Sequence, residues 1–257
     1  MTSLQPASTP SKDAARLSRP AQVAEAIKTF IVREGLQPGD RLPSEPELIE
    51  RFGMAKGTIR EALRLLDAQG LVKSRTGPGG GTFVHEPSQE RAEALLANYF
   101  YFKDLTISDI YQIRRVLEPE LVADLAGNLS DRVLGDLRAI LASYAEPARS
   151  DEEERDQHVA TLQFHKTLAD QSANPLLSFL IGFMLTILTD ITVFRKLYTP
   201  INHDLWSRGV DYQTRLLDAL AQGDSKAARA IMKAHMQTAG PLMEGQEAYS
   251  LKRFLSD

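Results

Sequence analysis

Three basic side chains recur at helical spacing in the N-terminal third of the chain. Lys56, Arg60 and Arg64 are four residues apart, so on an α-helix they form one ridge. The opposite face of that helix would be apolar, with Ile59, Ala62, Leu63 and Leu66. An α-helix fits the DNA major groove, where Lys and Arg reach guanine edges or nearby phosphates. Thr58 would lie in the first turn, where a hydroxyl or a backbone N–H can bind phosphate. The alternative is that these cations only form a solvated helix face.

A glycine-rich segment follows at 77–81. A phosphate-binding P-loop would end in Gly-Lys-Ser/Thr, whereas Gly81 is followed directly by Thr82. A dinucleotide-binding fingerprint would need a helix after the glycines, and the pattern here predicts a strand. The segment therefore favours the tip of a β-hairpin, where Gly79 and Gly80 let the backbone approach a DNA groove closely. Arg75 precedes this tip and adds a cation.

Local signals predict the elements that position these residues. A helix runs from Pro20 to a C-cap at Gly35, and a second begins at the capping box formed by Ser44 and Glu47 and ends at Gly53. The third, basic helix covers 55–69. Two strand-like segments, 71–75 and 82–85, follow it. This order predicts a winged helix-turn-helix over 19–87, after a disordered tail at 1–18.

The rest of the chain, 88–257, shows only helical periodicity, so the fold class is mostly α. About seven helices are predicted, near 90–103, 106–127, 130–145, 152–172, 175–197, 206–222 and 224–243. The change from helix-plus-hairpin to helices alone predicts a domain boundary near Pro87.

Composition limits the possible functions. The 257 residues contain no cysteine, which excludes disulfides, thiolate zinc sites, iron–sulfur clusters and a cysteine nucleophile. The net charge is −4, but residues 1–87 carry 12 Lys/Arg against 10 Asp/Glu, so a mildly basic head precedes an acidic body. The N-terminus lacks a secretory apolar segment, and Asp190 and other polar residues interrupt the longest apolar stretch, 176–194. We therefore expect a soluble cytoplasmic protein without a membrane span.

The N-terminal motifs resemble the GntR family of winged-helix transcriptional regulators. The similarity lies in the segments 38–48, 52–63, 70–72 and 81–84. It implies DNA contacts at Lys56, Thr58 and Arg60, and we extend the candidate surface to Ser44, Gly57, Arg64, Arg75, Gly79 and Gly80. Pro46 replaces an arginine usual in the family, and Ala55-Lys56 replaces Ser-Arg. Because lysine lacks the planar bidentate contact of arginine, we expect an altered operator preference.

The C-terminal motifs, at 113–120, 164–168, 174–176 and 220–224, resemble the FadR-like subfamily, whose helical body is the FCD domain. That resemblance implies dimerisation and an effector pocket between helices. The candidate effector-binding residues are Arg114, Thr161, His165, Gln213 and His235. Arg114 is the candidate for holding an anion, because its fork matches a carboxylate. The alternative for Arg114 is a pair with Glu118 at i+4.

Relatives of this kind commonly bind a divalent metal, zinc or nickel, through histidines and a carboxylate. Here His165 and His235 stand at two of those positions, but Thr161 replaces the aspartate and Gln213 replaces a histidine. Threonine and glutamine are poor transition-metal ligands. We therefore expect a polar, hydrogen-bonded pocket without a tightly bound metal. His158, one heptad before His165, is the candidate replacement ligand.

The sequence thus predicts a ligand-responsive transcriptional regulator, a repressor that binds a palindromic operator in double-stranded DNA as a homodimer. The effector would be a small organic acid or acyl compound. One alternative is a metal-dependent or acid–base enzyme that uses His165, His235 and Asp170, against which stands the lack of a nucleophile–base motif or cofactor fingerprint. Another is a DNA-binding protein that responds to no ligand.

Overall fold

The computed structural model of the chain describes residues 17–103 and 105–254. Two compact units divide between Ala94 and Leu95. Most of the predicted N-terminal tail, residues 1–16, lies outside the described residues.

The first unit contains three helices followed by a two-stranded antiparallel sheet. Its elements are α1 (Arg19–Glu34), α2 (Glu45–Phe52), α3 (Lys56–Ala68), β1 (Val72–Arg75) and β2 (Gly81–Val84). The strands pair in a register that sets Val72 opposite Val84 and Arg75 opposite Gly81. One apolar core joins the helices to the base of the hairpin, including Ile27, Leu48, Ile59, Leu66 and Val72. The predicted helix-turn-helix with a wing is confirmed.

The predicted helix boundaries of this unit are set by local capping. Gly35 and Gly53 end α1 and α2 in the left-handed conformation that glycine adopts without strain. At the start of α2, the amide and the hydroxyl of Ser44 both donate to the Glu47 carboxylate, each over 2.7 Å. These two bonds lower the pKa of Glu47. The capping bonds thereby fix where α2 begins, and α2 leads directly into α3, the basic helix.

Beyond the wing the structure is helical. The elements are α4 (Gln89–Tyr101), α5 (Ile107–Leu125), α6 (Asp131–Ala142), α7 (Asp151–Ala169), α8 (Pro175–Phe194), α9 (His203–Gln222) and α10 (Ser225–Phe254). The division between the two units falls within α4. In the second unit α10 packs most extensively against α5 and α9, while α7 packs against α8. All seven predicted helices are present.

Helix α10 is longer than its sequence predicts. The predicted helix covers 224–243. The helix in the structure contains Pro241, which removes one helical hydrogen bond, and it continues to Phe254. Met243 and Gln246 are both buried, and the Gln246 amide donates to the Pro200 carbonyl over 2.8 Å. These contacts with the rest of the unit compensate for the bond lost at Pro241.

Helix α8 is long and apolar enough to cross a membrane, and among the helices described here no other meets that criterion. A single helix of this kind is weak evidence for a span, because core helices of soluble proteins meet the same criterion. One face of α8 contributes Ile181, Leu185 and Leu188 to the core of the second unit. This face of α8 is therefore part of the helical bundle.

Candidate functional site

Helix α3 presents its basic side chains to solvent. Lys56, Arg60 and Arg64 are exposed, while Ile59, Ala62, Leu63 and Leu66 of the opposite face are buried. Arg60 Nε donates to both carboxylate oxygens of Glu45 in α2, at 3.0 and 3.1 Å, and Arg64 pairs with Glu61 at 3.3 Å. Exposed ion pairs of this kind contribute little to stability, so a phosphate can compete with either carboxylate.

The start of α3 leaves space for a phosphate group to come close to the backbone. Its N-cap, Ala55, has no side chain able to accept from the first-turn N–H groups, and groups of that kind bind phosphate well. Gly57 is exposed, with no atom within 4 Å of the place a Cβ would occupy. Thr58 is half-buried beside it. Ser44 lies at the start of α2, where its hydroxyl is bound to Glu47.

The wing tip is held by Arg41, a residue that sequence analysis missed. Arg41 Nη2 donates to the carbonyl of Gly80 over 2.6 Å. The Arg41 Nε atom lies 2.7 Å from where a Cβ on Gly81 would be, and Gly81 has φ +151°. Gly79 is exposed at the tip, and the Arg75 guanidinium lies over the Phe83 ring, 4.8 Å from its centroid. The resemblance covered Arg41 without assigning it a role, because only the fold brings it to the hairpin.

A cavity lies between helices α5, α7, α8, α9 and α10 of the second unit. Its volume is about 60 Å³. Four of the predicted effector-binding residues line it: Arg114, Thr161, His165 and His235. The fifth, Gln213, is buried behind His165, with Gln213 Nε2 3.3 Å from His165 Nε2. The structure thus brings together residues that are up to 121 positions apart in the sequence.

A chain of buried polar contacts connects these residues. Arg114 Nε donates to Glu118 Oε1, which is the i, i+4 pair that the sequence offered as an alternative. Glu118 Oε2 lies 2.6 Å from His165 Nδ1, and His165 Nε2 lies 3.3 Å from His235 Nε2. Burial raises the pKa of Glu118, but the Arg114 guanidinium and the His165 imidazole outweigh it and lower the pKa. Glu118 is therefore a carboxylate inside the bundle.

The hydrogen-bond partners fix the proton positions on His165. A carboxylate only accepts, so His165 Nδ1 donates to Glu118. A neutral His165 then carries a lone pair on Nε2, and the Gln213 amide nitrogen donates to it. Gln213 is itself oriented by the Tyr144 hydroxyl, which donates to its carbonyl over 2.6 Å. Burial, together with the neighbouring His165 and the Arg114 guanidinium, lowers the pKa of His235 well below its usual value, so the His235 ring is neutral at pH 7.

The donor set does not fit a tightly bound transition metal. Catalytic zinc sites have at least three protein ligands, and here only His165 and His235 offer suitable nitrogens. Glu118 is committed to Arg114 and to His165 Nδ1, on the side of the ring away from His235. The candidate replacement, His158, pairs with Glu154 at 3.3 Å. Within 17–103 and 105–254, no group of three or more histidines and carboxylates could hold a metal ion.

Asp170, the carboxylate of the enzyme alternative, caps the C-terminal end of α7 and is exposed. The buried His165–His235 pair therefore lacks this partner.

Glu154 marks a second polar region of the cavity wall, which sequence analysis did not identify. Its side chain is buried, and Glu154 Oε1 accepts from the Asn202 amide over 3.1 Å and faces His158. In the described part of the chain, four buried side-chain atoms have no hydrogen-bond partner, and all four belong to residues of this cavity wall: Arg114 Nη1, Glu154 Oε2, Gln157 Oε1 and Thr192 Oγ1. Buried polar atoms are normally paired, so their concentration here indicates a place for a bound molecule.

Known proteins resemble both units. Residues 20–84 match the family described as Bacterial regulatory proteins, gntR family, and residues 109–238 match the FCD domain. The HTH-type transcriptional regulator LutR of Bacillus subtilis (strain 168) is 29% identical over 211 residues, which cover 82% of this chain and 94% of LutR. The Exu regulon transcriptional regulator of Escherichia coli (strain K12) is 26% identical over 216 residues, covering 84% and 81%.

A solved structure has the same fold. Streptococcus agalactiae GntR superposes with a TM-score of 0.56 at 21% identity, covering 86% of this chain and 99% of that one. With a basic recognition helix, a wing and a helical domain that encloses a polar cavity, the chain belongs to the gntR family of bacterial regulatory proteins and is a DNA-binding transcriptional regulator with an FCD effector domain.

Proposed function

We propose that this regulator is a cytoplasmic homodimeric repressor whose cavity binds a small organic anion directly, without a resident metal. The observation that carries the proposal is Arg114 Nη1, a cationic donor buried in the cavity wall that has no hydrogen-bond partner among the described residues. A carboxylate is the natural acceptor for such a group. By likeness to the Exu regulon transcriptional regulator, the targets would be a set of genes under one control.

On the DNA side, the proposed contacts are the exposed face of α3 and the glycine tip of the wing. The contact residues would be Lys56, Gly57, Thr58, Arg60, Arg64, Arg75, Gly79 and Gly80, with Ser44 at the start of α2. Two copies would place two α3 helices in successive major grooves of a palindrome, about 34–36 Å apart. Effector binding would rearrange the helices around Arg114 and change that separation, so the dimer would leave its operator.

Exposed apolar side chains support the dimer. Within the second unit, α4, α5 and the turn between them expose Leu95, Tyr99, Phe102, Ile113 and Val116. We propose this region, 90–127, as the dimer seam. A large exposed patch of apolar side chains usually marks a site of interaction with another molecule. The occupant we propose is a second copy of this chain, because a palindrome requires two heads.

The test is effector-induced release of operator DNA in the presence of a chelator. The ligands are short monocarboxylates, and the DNA is a labelled duplex from the protein's own upstream region. Arg114→Lys keeps a cation beside Glu118 but loses the planar, two-pronged guanidinium group. We therefore expect it to weaken the binding of the anion about tenfold or more. Arg229→Lys, an exposed arginine paired with Glu120, is the matched control.

Fluorescence anisotropy measures the release, and elemental analysis of the purified protein accompanies it. Stoichiometric zinc or nickel, lost together with anion binding on chelation, would contradict the metal-free pocket. Equal anion affinity in the wild type and in Arg114→Lys would contradict the role of Arg114.

A further inference from the structure

Three buried oxygen atoms in the cavity wall, each able to accept a hydrogen bond, have no partner among the described residues. They are Glu154 Oε2, Gln157 Oε1 and Thr192 Oγ1. The other functional atoms of Gln157 and Glu154 are engaged: Gln157 Nε2 donates to the Glu146 carbonyl over 2.8 Å, and Glu154 Oε1 accepts from Asn202. These bonds fix the orientation of the Gln157 and Glu154 side chains and leave one oxygen of each without a hydrogen-bond partner in the described part of the chain.

This region of the wall is negative as well as rich in acceptors. Burial raises the pKa of Glu154, but the His158 bond and the Asn202 amide outweigh it, and the pKa is lowered. Glu154 is therefore a buried carboxylate, and one of its oxygens has no hydrogen-bond partner among the described residues. A charge of this kind strongly favours a cationic or hydrogen-donating partner and repels an anion.

The number of acceptors distinguishes between donor groups. A hydroxyl group offers one hydrogen and needs a donor in return, whereas a primary ammonium offers three hydrogens and one positive charge. Three acceptor oxygens with one negative charge therefore match an ammonium better than a hydroxyl.

The region of Glu154, Gln157 and Thr192 is separated from Arg114 along the bundle. Glu154 and His165 are eleven residues apart on α7, roughly 16 Å of helix axis at 1.5 Å per residue, and His165 belongs to the network of Arg114 and Glu118. Apolar side chains line the same cavity, including Leu162, Leu188, Leu205, Trp206 and Met243. A molecule that reaches both polar regions must then have its charges at opposite ends of an apolar body.

We propose that the effector is an elongated amino-carboxylate. Its carboxylate binds Arg114, its apolar chain lies along the leucines and Trp206, and its terminal ammonium binds Glu154, Gln157 and Thr192. This inference rests on the proposed anion-binding function and specifies the other end of the ligand.

Calorimetric titration of the full-length protein tests it with three probes of equal chain length. ε-Aminocaproate carries both charged ends, caproate lacks the amine, and adipate has a second carboxylate instead. The same three kinds of molecule with eight, ten and twelve carbons are titrated beside them, because Glu154 and His165 lie roughly 16 Å apart along α7 and the six-carbon set covers only about half of that. At the length that fits, we expect the amino acid to bind at least about tenfold more tightly than the plain acid and the diacid to bind most weakly, because a hydrogen bond to a charged group is worth at least that factor.

Two variants locate the preference. Glu154→Gln keeps an oxygen for Asn202 but removes the charge, so it should weaken ε-aminocaproate about tenfold and leave caproate unchanged. Glu152→Gln, an exposed carboxylate in the same turn of α7, is the matched control. Thr192→Val removes a hydroxyl that has no hydrogen-bond partner within 17–103 and 105–254, so it should keep the protein folded and weaken the binding of ε-aminocaproate several-fold.

Equal binding of caproate and ε-aminocaproate by the wild type, repeated at every longer chain length, would overturn the proposed ammonium site, while the proposal that Arg114 binds the anion would stand. Failure of the amino acids of every length to bind would also overturn it, and short monocarboxylates in the same titration would show separately whether anion binding survives. Loss of caproate binding along with ε-aminocaproate in Glu154→Gln would show that Glu154 has only a structural role.

Discussion

At the scale of single residues, Arg114 and Glu118 must be considered as one unit. Both side chains are 1% exposed, and each is the other's main compensation for lost hydration. Glu118 also orients His165, which in turn contacts Gln213 and His235. A change at either charge therefore alters stability as well as ligand binding, which is why a lysine substitution tests the anion site better than an alanine would.

Arg114→Ala should lower the free energy of unfolding by about 3–5 kcal/mol, because it leaves the Glu118 carboxylate buried with only His165 beside it. The double change Arg114→Met with Glu118→Met should recover much of that loss, since an apolar pair of similar volume needs no hydration. Urea denaturation of the three proteins measures both effects. A loss below about 1 kcal/mol in Arg114→Ala would contradict the importance of this pair.

On the DNA side, Arg60 is the most informative single residue of α3. Arg60→Ala should weaken operator binding by about 1–3 kcal/mol if the guanidinium reads a base, and it should change which base pair is preferred at one position. Anisotropy against single-base operator variants measures this. Arg132→Ala, an exposed cation of α6 that is 90% accessible, should have no effect. A uniform loss over all sequences would assign Arg60 to a phosphate instead.

At the scale of elements, the wing depends on Arg41 and on the glycines at its tip. The segment before α2 runs along β2: the Leu42 amide donates to the Thr82 carbonyl over 2.8 Å, and Arg41 forms an isolated bridge with Phe83. This places the Arg41 guanidinium against Gly80 and Gly81. The wing tip is therefore supported from outside the hairpin, despite its glycine content.

Gly81→Ala should disturb this support. A Cβ at φ +151° is strained, and it would displace the Arg41 guanidinium; backbone strain of this kind costs on the order of 1–3 kcal/mol. We expect a lower melting temperature and several-fold weaker operator binding. Gly135→Ala in α6, where a Cβ meets nothing within 4 Å, serves as the control and should be neutral or slightly stabilising. Unchanged operator affinity in Gly81→Ala would show that the tip does not contact DNA.

The sequence predicts elements well where their ends are set locally. Ser44, Gly35 and Gly53 act through bonds to residues within one turn, so the helices of the first unit could be placed closely. The end of α10 could not, because the burial of Met243 and Gln246 is a tertiary effect.

The same distinction applies to the site. The histidines and Arg114 could be found by resemblance, but Glu154 is one of four consecutive acids at the start of α7. The sequence does not distinguish it from Glu152 or Glu153. Only packing against Asn202 and His158 shows which carboxylate is buried, and only the fold shows that Thr192, on an apolar helix, faces a cavity.

At the scale of the whole molecule, charge and apolar surface have different roles. The N-terminal 87 residues carry a small excess of positive charge, and the remainder is acidic. A negative body is repelled by DNA, so productive encounters favour the head. The apolar side chains of α5, in contrast, suit contact between two copies.

Val116→Glu should convert the dimer to a monomer, because Val116 is 65% exposed and a charge there would be buried only on association. Folding and anion binding should be retained, while operator binding should fall steeply when only one head can engage. Light scattering at micromolar concentration measures the mass, with Gln163→Glu on the exposed face of α7 as a charge-matched control. A Val116→Glu protein that stays dimeric would place the seam elsewhere.

The ring nitrogens of His165 and His235 lie 3.3 Å apart, a spacing at which both could reach one zinc ion with bonds of about 2.0–2.1 Å. Thr161→Asp and Gln213→His would add a carboxylate and a third imidazole at the positions that the family resemblance assigns to ligands. On the proposed function, two side chains would then separate a sensor that reads its organic ligand directly from one whose response is gated by metal supply. Because both exchanges lie in the cavity wall or behind it, the bundle and the helix-turn-helix head need no change for either kind of response.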